Sequence, residues 1–168
     1  MAKKLTYDEI CARVSAILDK ALEDHKTIFY GETGDGMYFS LDGFTAYYLP
    51  NHNLAFSLGR MPKSIKADTR GTMEKAFSEK ALLVTAEERG KDTNSPRTIR
   101  KLYNPAVGNV YANNAFFSDV PKSAAVYISG KSKPILCGIM ESGRLFLYKI
   151  ILPIRFEEWR FIKKEARA

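Results

Sequence analysis

Apolar positions recur at helical spacing between Thr6 and Asp24: Ile10, Val14, Ile17, Leu18, Ala21 and Leu22 fall on one side, and Arg13, Asp19, Lys20 and Glu23 on the other. Thr6 and Glu9 have the spacing of a capping box, in which hydroxyl and carboxylate each satisfy an orphan amide. The first element is therefore a helix that lays one stripe on a core. The pattern then shortens. "TIFY", "MYFSL" and "FTAYYL" read as strands, with Asp42-Gly43 as the hairpin turn between the last two. "LAFSL" reads as a short strand, 60–70 as a polar loop, and 69–80 as a short helix with Met73, Ala76 and Phe77 inward. "ALLVTAEE" and "RTIRKLYN" read as strands on either side of the loop "RGKDTNSP". A short helix at 113–120 is stopped by Pro121, and "AAVYIS", "PILCGIM" and "RLFLYKIIL" form a closing antiparallel meander. This order predicts an α+β fold, a single domain with an antiparallel sheet and two to three helices. It spans 1–156, and 157–168 form a basic and aromatic C-terminal extension.

Length and composition fit this picture: 168 residues, 45% hydrophobic and 27% charged, are enough for one packed core. No apolar run approaches the ~20 residues that span a bilayer, and "MAKKLTYDEI" has no signal-peptide core. The expectation is a cytoplasmic protein without a membrane partner. Cys11 and Cys137 sit in apolar patterns and read as small core residues.

Charge changes the picture more. Residues 1–84 carry 11 Lys and Arg against 11 Asp and Glu, whereas 85–168 carry 15 against 8 and hold the whole net charge of +7. A one-sided basic excess suits an anionic partner, nucleic acid first, and suits a solubilising surface equally. The candidate DNA contacts are Lys3, Lys4, Arg13 and Lys20 around the first helix, with Arg97, Arg100 and Lys101 elsewhere.

Catalytic chemistry leaves little trace. His25 and His52 have no partner at metal-ligand spacing. "GETGDG" lacks the Lys-Ser/Thr of a phosphate loop, "GKS" at 130–132 has Ala125 where the loop glycine belongs, and no G-x-S-x-G elbow appears. The chain is expected to be non-enzymatic, with no metal and no cofactor. Tyr38, Phe39, Phe44, Tyr47 and Tyr48 crowd one hairpin and read as a cross-strand core ladder. Base-stacking platforms interleave aromatics with cations, and that hairpin has none.

Residues 109–156, "NVYANNAFFSDVPKSAAVYISGKSKPILCGIMESGRLFLYKIILPIRF", resemble the C-terminal end of a bacterial DNA sliding clamp, the β subunit of the replicative polymerase. Asn113 or Asn114 and "FFSDV" match the Asn-led helix of that family, "AVYIS" the next strand, "SKPILC" the Ser-Pro strand, and "LYKIILPIRF" the last strand. "GMYFSLDGFTAYYLP" resembles a clamp-domain hairpin more loosely. The resemblance implies a sliding-clamp-domain-like fold and a DNA-replication role as a processivity factor. It implies sequence-independent association with double-stranded DNA, homo-oligomers, and replication or host proteins as partners. It also implies that Leu152, Pro153, Ile154 and Arg155 line a peptide-binding cleft. Clamp chains carry three such domains and end near the "PxRL" residues. One domain with an added tail suits a phage-encoded protein, and the alternative function is a small phage or mobile-element protein that modulates a host enzyme.

"LPIRF" ends the last strand, because Pro153 removes a ladder donor. In "EEWRFIKKEARA" acid precedes base, which suits a short helix dipole. The expectation is a helix that folds back near "LPIRF" and buries Trp159, with Ile162 on the same face.

Overall fold

The computed structural model describes residues 4–32, 35–50, 64–66 and 80–163. The first element is the predicted helix, α1 (Tyr7–Glu23). Its capping box is made: the Glu9 amide donates to Thr6 Oγ1 at 3.2 Å, and the Thr6 amide to Glu9 Oε2 at 3.0 Å. Ile10, Cys11, Val14, Leu18 and Ala21 are buried, so the apolar stripe faces the core. The helix ends on His25, whose φ is 54°. The His25 amide donates to the Leu22 carbonyl and the Lys26 amide to the Ala21 carbonyl, the paired bonds of a Schellman cap. His25 thus has a backbone task that its side chain does not advertise.

Two sheets follow, twelve strands among the described residues. The larger contains β1 (Ile28–Glu32), β2 (Gly36–Ser40), β3 (Thr45–Pro50), β4 (Ser64–Lys66), β5 (Leu82–Leu83), β9 (Ala125–Ile128), β10 (Ile135–Glu141) and β11 (Arg144–Ile151). Its order is β4-β1-β2-β3-β11-β10-β9-β5, antiparallel throughout except that β4 runs parallel to β1. The smaller contains β6 (Ala86–Asp92), β7 (Thr98–Asn104), β8 (Gly108–Asn113) and β12 (Phe161–Lys163), in the order β12-β6-β7-β8.

The closing meander is as predicted: β9, β10 and β11 pair antiparallel, and no helix interrupts them. The β3–β11 pair joins the first half of the chain to the last. The aromatic hairpin is a core ladder at Phe39 and Tyr47, stacked at 5.3 Å between ring centroids, and at Tyr38 and Tyr48, 4.9 Å apart, whereas Phe44, expected in the ladder, is exposed and stacks on Phe116 instead. Its turn differs from the expected two-residue form. Only Gly43 takes a positive φ, and Asp42 Oδ1 accepts from the Phe44 and Thr45 amides across a wider loop.

The α+β, sliding-clamp-domain-like expectation is corrected: the chain is mainly β, with one α-helix among the described residues. The segment predicted as a helix at 113–120 is a single 3-10 turn, Asn114–Phe117. Asn113 caps it, and Pro121 follows too closely for a second turn, so the Ser118 and Val120 amides settle for carbonyls three residues back. The helix predicted at 69–80 and the strand "LAFSL" lie outside the described residues. "ALLVTAEE" is two strands rather than one: β5 pairs with β9 in the larger sheet and β6 with β7 in the smaller. β6 also runs on through Asp92, across residues expected to be loop.

Leu102, Val110, Ala112 and Phe117 join the core formed by α1 and the larger sheet, so one face of the smaller sheet is buried there. What covers the other face is the tail.

Candidate binding groove at the tail crossing

The "LPIRF" segment crosses from one sheet to the other. The Leu152 amide donates to the Phe44 carbonyl at 2.8 Å, beside β3. The Ile154 amide donates to the Tyr111 carbonyl at 2.9 Å, on the free edge of β8. Pro153, which has no N–H, sits between these donors where the chain leaves one ladder for the other. Residues 157–163 then cross to the opposite edge of the smaller sheet, where β12 pairs with β6.

Aromatic and ionic contacts fix this crossing. Phe156 and Phe161 lie against Tyr111, at 4.9 and 6.0 Å between centroids. Arg160 stacks over Phe156 and Lys101 over Phe161. Arg160 Nη2 meets Asp92 Oδ2 at 2.7 Å, and Arg97 Nε reaches the same oxygen at 3.2 Å. Lys101 bonds Glu158 at 2.7 Å, and Lys163 bonds Glu88 at 3.2 Å. Gly90 lets the tail approach closely: a Cβ there would lie 2.4 Å from the Ile162 carbonyl oxygen and 2.6 Å from the Phe161 ring. Burial pushes the Asp92 carboxyl up, but the Asn94 amide and the two guanidiniums outweigh it, and the net shift is downward. The hydrogen bond from Lys101 holds Glu158 below the usual range, and the same bond raises Lys101.

The crossing leaves a groove of about 750 Å³, lined by Asn94, Asn109 and Tyr111 of the sheet region, Lys131 and Ser132 of the β9–β10 turn, and Ile154–Arg160 of the tail. Trp159 is 67% exposed. The tail forms a 3-10 turn at Glu158–Arg160 and then a strand, so the expected helix and the expected burial of Trp159 and Ile162 are both corrected. The partners that draw the tail into strand pairing are Asp92, Lys101 and Glu88, all distant in sequence. The Trp159 Nε1–H donates to Glu157. Arg160 and Glu158 are likewise committed to partners, whereas Lys131 and Arg155 form no ion pair among the described residues.

Of the residues expected to line a cleft, Ile154 and Arg155 do line this groove, while Leu152 is exposed at its approach beside Pro153. The expected DNA contacts divide into two groups. Lys4, Arg13 and Lys20 are exposed around α1, with Lys20 3.6 Å from Asp24; Lys3 lies outside the described residues. Arg97, Arg100 and Lys101 share β7 or its approach, and each has an internal partner. Arg100 bonds Asn114 at 2.9 Å, sits 3.6 Å from Glu87 and covers the Phe117 ring. Phe156 and Lys131 were overlooked in the sequence, and Trp159 was singled out there but expected to be buried. The alternation Arg155-Phe156 and Trp159-Arg160-Phe161 was the available signal, since it interleaves cations with aromatics.

A second polar cluster is buried. Lys149, 2% exposed, bonds Asp119 at 2.5 Å and the Phe116 carbonyl at 2.7 Å, and Tyr47 donates its hydroxyl to the same Asp119. It pins the 3-10 turn to β3 and β11. Neighbouring Cys137 is wholly buried, which pushes its thiol up to about 12 and keeps it protonated at neutral pH. Among the described residues no group of three or more His, Cys, Asp or Glu is placed to hold a metal, and no helix is long and apolar enough to cross a membrane. Compared with known proteins, the chain matches no family model, no curated protein and no solved structure.

Proposed function

We propose that this is a non-enzymatic, nucleic-acid-associated protein that holds its ligand at the tail groove without regard to sequence. The observation that carries the reading is the company kept in that groove: an exposed indole and a second aromatic ring, with Lys131 and Arg155 beside them, neither in an ion pair within 4 Å among the described residues. Phosphate-bearing strands are bound by such cations through a field that ignores base order. Two further features support the reading. The basic excess lies wholly in the half of the chain that builds the groove, and residues 109–156 resemble the end of a replication clamp. The test is fluorescence anisotropy with labelled DNA of unrelated sequences over a salt series. Weak binding, equal across sequences and lost as salt rises, is expected. Absent binding at low ionic strength removes nucleic acid as the partner.

In that event a protein-interaction reading stands next, as a phage or mobile-element protein that docks on a replication or host partner. The exposed Leu152 beside Ile154 favours it, because an apolar side chain at the mouth of a groove suits a peptide anchor.

A further inference from the structure

We infer that the tail groove is a single-strand site, in which an unpaired base stacks on the Trp159 indole while Arg155 and Lys131 take the adjoining phosphates. This rests on the nucleic-acid reading above and narrows it. In a duplex the base faces are already stacked and only edges and phosphates are offered, so an exposed indole gains little from it. An unpaired base has a free face, and stacking on an aromatic side chain supplies most of what a sequence-tolerant site needs.

Three observations converge on this ligand. First, the indole rides on an anchored turn: the 3-10 turn that carries it is clamped by Arg160 on Asp92 and Glu158 on Lys101, and its N–H donates to Glu157. A ring on an anchored turn has less freedom to lose when a base lands on it. Second, Glu158 is paired with Lys101 and Glu157 keeps its charge while accepting from the neutral Trp159 N–H, but Lys131 and Arg155, which form no ion pair within 4 Å among the described residues, outnumber that one carboxylate. The balance of charge a ligand meets there is positive, with Glu157 opposing it. Third, the remaining lining supplies the amides of Asn94 and Asn109 and the Ser132 hydroxyl, which can bond to any base edge or phosphate oxygen. A groove of about 750 Å³ is of the size to admit a nucleotide or two.

The chain contains a single tryptophan, so its own fluorescence reports on the site. Titration with short oligothymidylate is expected to quench that emission, and a duplex of the same length is expected to quench it far less. Labelled oligothymidylate then gives affinities for variants. Trp159→Ala, at an exposed position that leaves the fold intact, is expected to weaken binding about tenfold or more, with Trp159→Phe recovering part of the loss and Trp159→Leu none. Two neutralised phosphates give a log–log salt slope of about −1.4 for a single strand, and Arg155→Ala is expected to reduce its magnitude by about 0.7. Duplex bound as tightly as single strand, or an unaffected Trp159→Ala, overturns this inference and leaves the broader nucleic-acid reading standing. Binding of neither DNA overturns both. Full recovery by Trp159→Leu together with salt-insensitive binding overturns the inference as well, since neither the indole face nor the phosphate contacts would then carry the binding.

Discussion

The two sheets are held by different physics. The larger one, with α1, rests on burial: Phe39, Leu18, Ile28, Ile135 and Ile139 are inaccessible, and among the described residues a single charged side chain, Lys149, is hidden with them beside its own carboxylate. The smaller sheet buries one face in that core, but its other face is covered by the tail, which pairs along β6 and touches the β8 edge at one bridge, through Asp92, Lys101 and Glu88 and two aromatic rings. Burial makes a scaffold that is indifferent to ionic conditions. Ion pairs and a strap make a surface that responds to pH and salt and leaves polar groups facing outward. The candidate groove belongs to the second region, where side chains are available for a ligand.

The comparison can be broken most forcefully inside the larger sheet. Asp119→Ala removes the carboxylate from buried Lys149 and leaves an uncompensated cation. The expected cost is about 3 kcal/mol, read as a lower urea midpoint with an unchanged slope; a cost below about 1 kcal/mol would show that the lysine finds water and that the scaffold is less dry than described. Gly90→Ala acts on the smaller sheet. The added Cβ collides with Ile162 and Phe161, and overpacking of this kind costs about 2 kcal/mol. Faster proteolysis within the tail, with sheet signals retained in circular dichroism, is the expected signature, and concerted loss of both would mean the sheets do not separate energetically.

The gentlest probe is Asp92→Asn. The folded Asp92 carboxyl titrates below its ordinary range, so its contribution is complete above the unfolded value near pH 4 and is lost as pH falls through the folded value. Glu158 has the same sign. Wild-type stability should therefore fall on acidification below about pH 4, and Asp92→Asn should flatten part of that limb while lowering the neutral plateau. Superimposable pH profiles would remove the carboxylate from the account.

Local signals were legible in the sequence, and long-range ones were not. The capping box at Thr6 and Glu9 and the meander over 125–151 are written in short patterns, and both formed. Ile154 and Arg155, which line the groove, were named only through a resemblance, and Pro153's missing donor marked where the strand ends. Trp159 was misplaced because an acid-to-base run reads as a helix dipole, whereas Asp92 and Arg160, 68 residues apart, outweigh it. The split of 81–88 between two sheets had the same cause: nothing in "ALLVTAEE" says that β5 and β6 have different neighbours. Nothing in the sequence marks Lys149 as buried, since its carboxylate comes from a turn 30 residues earlier. Arg97, Arg100 and Lys101 looked free for phosphate for the same reason.

Hydrogen exchange of the whole protein, with and without short oligothymidylate, sets the two regions directly against each other as the nucleic-acid site. The account expects added protection at residues 154–160, around Tyr111 and in the Lys131–Ser132 turn, with α1 unchanged. Protection along α1 around Arg13 and Lys20, with none at the tail crossing, would contradict it.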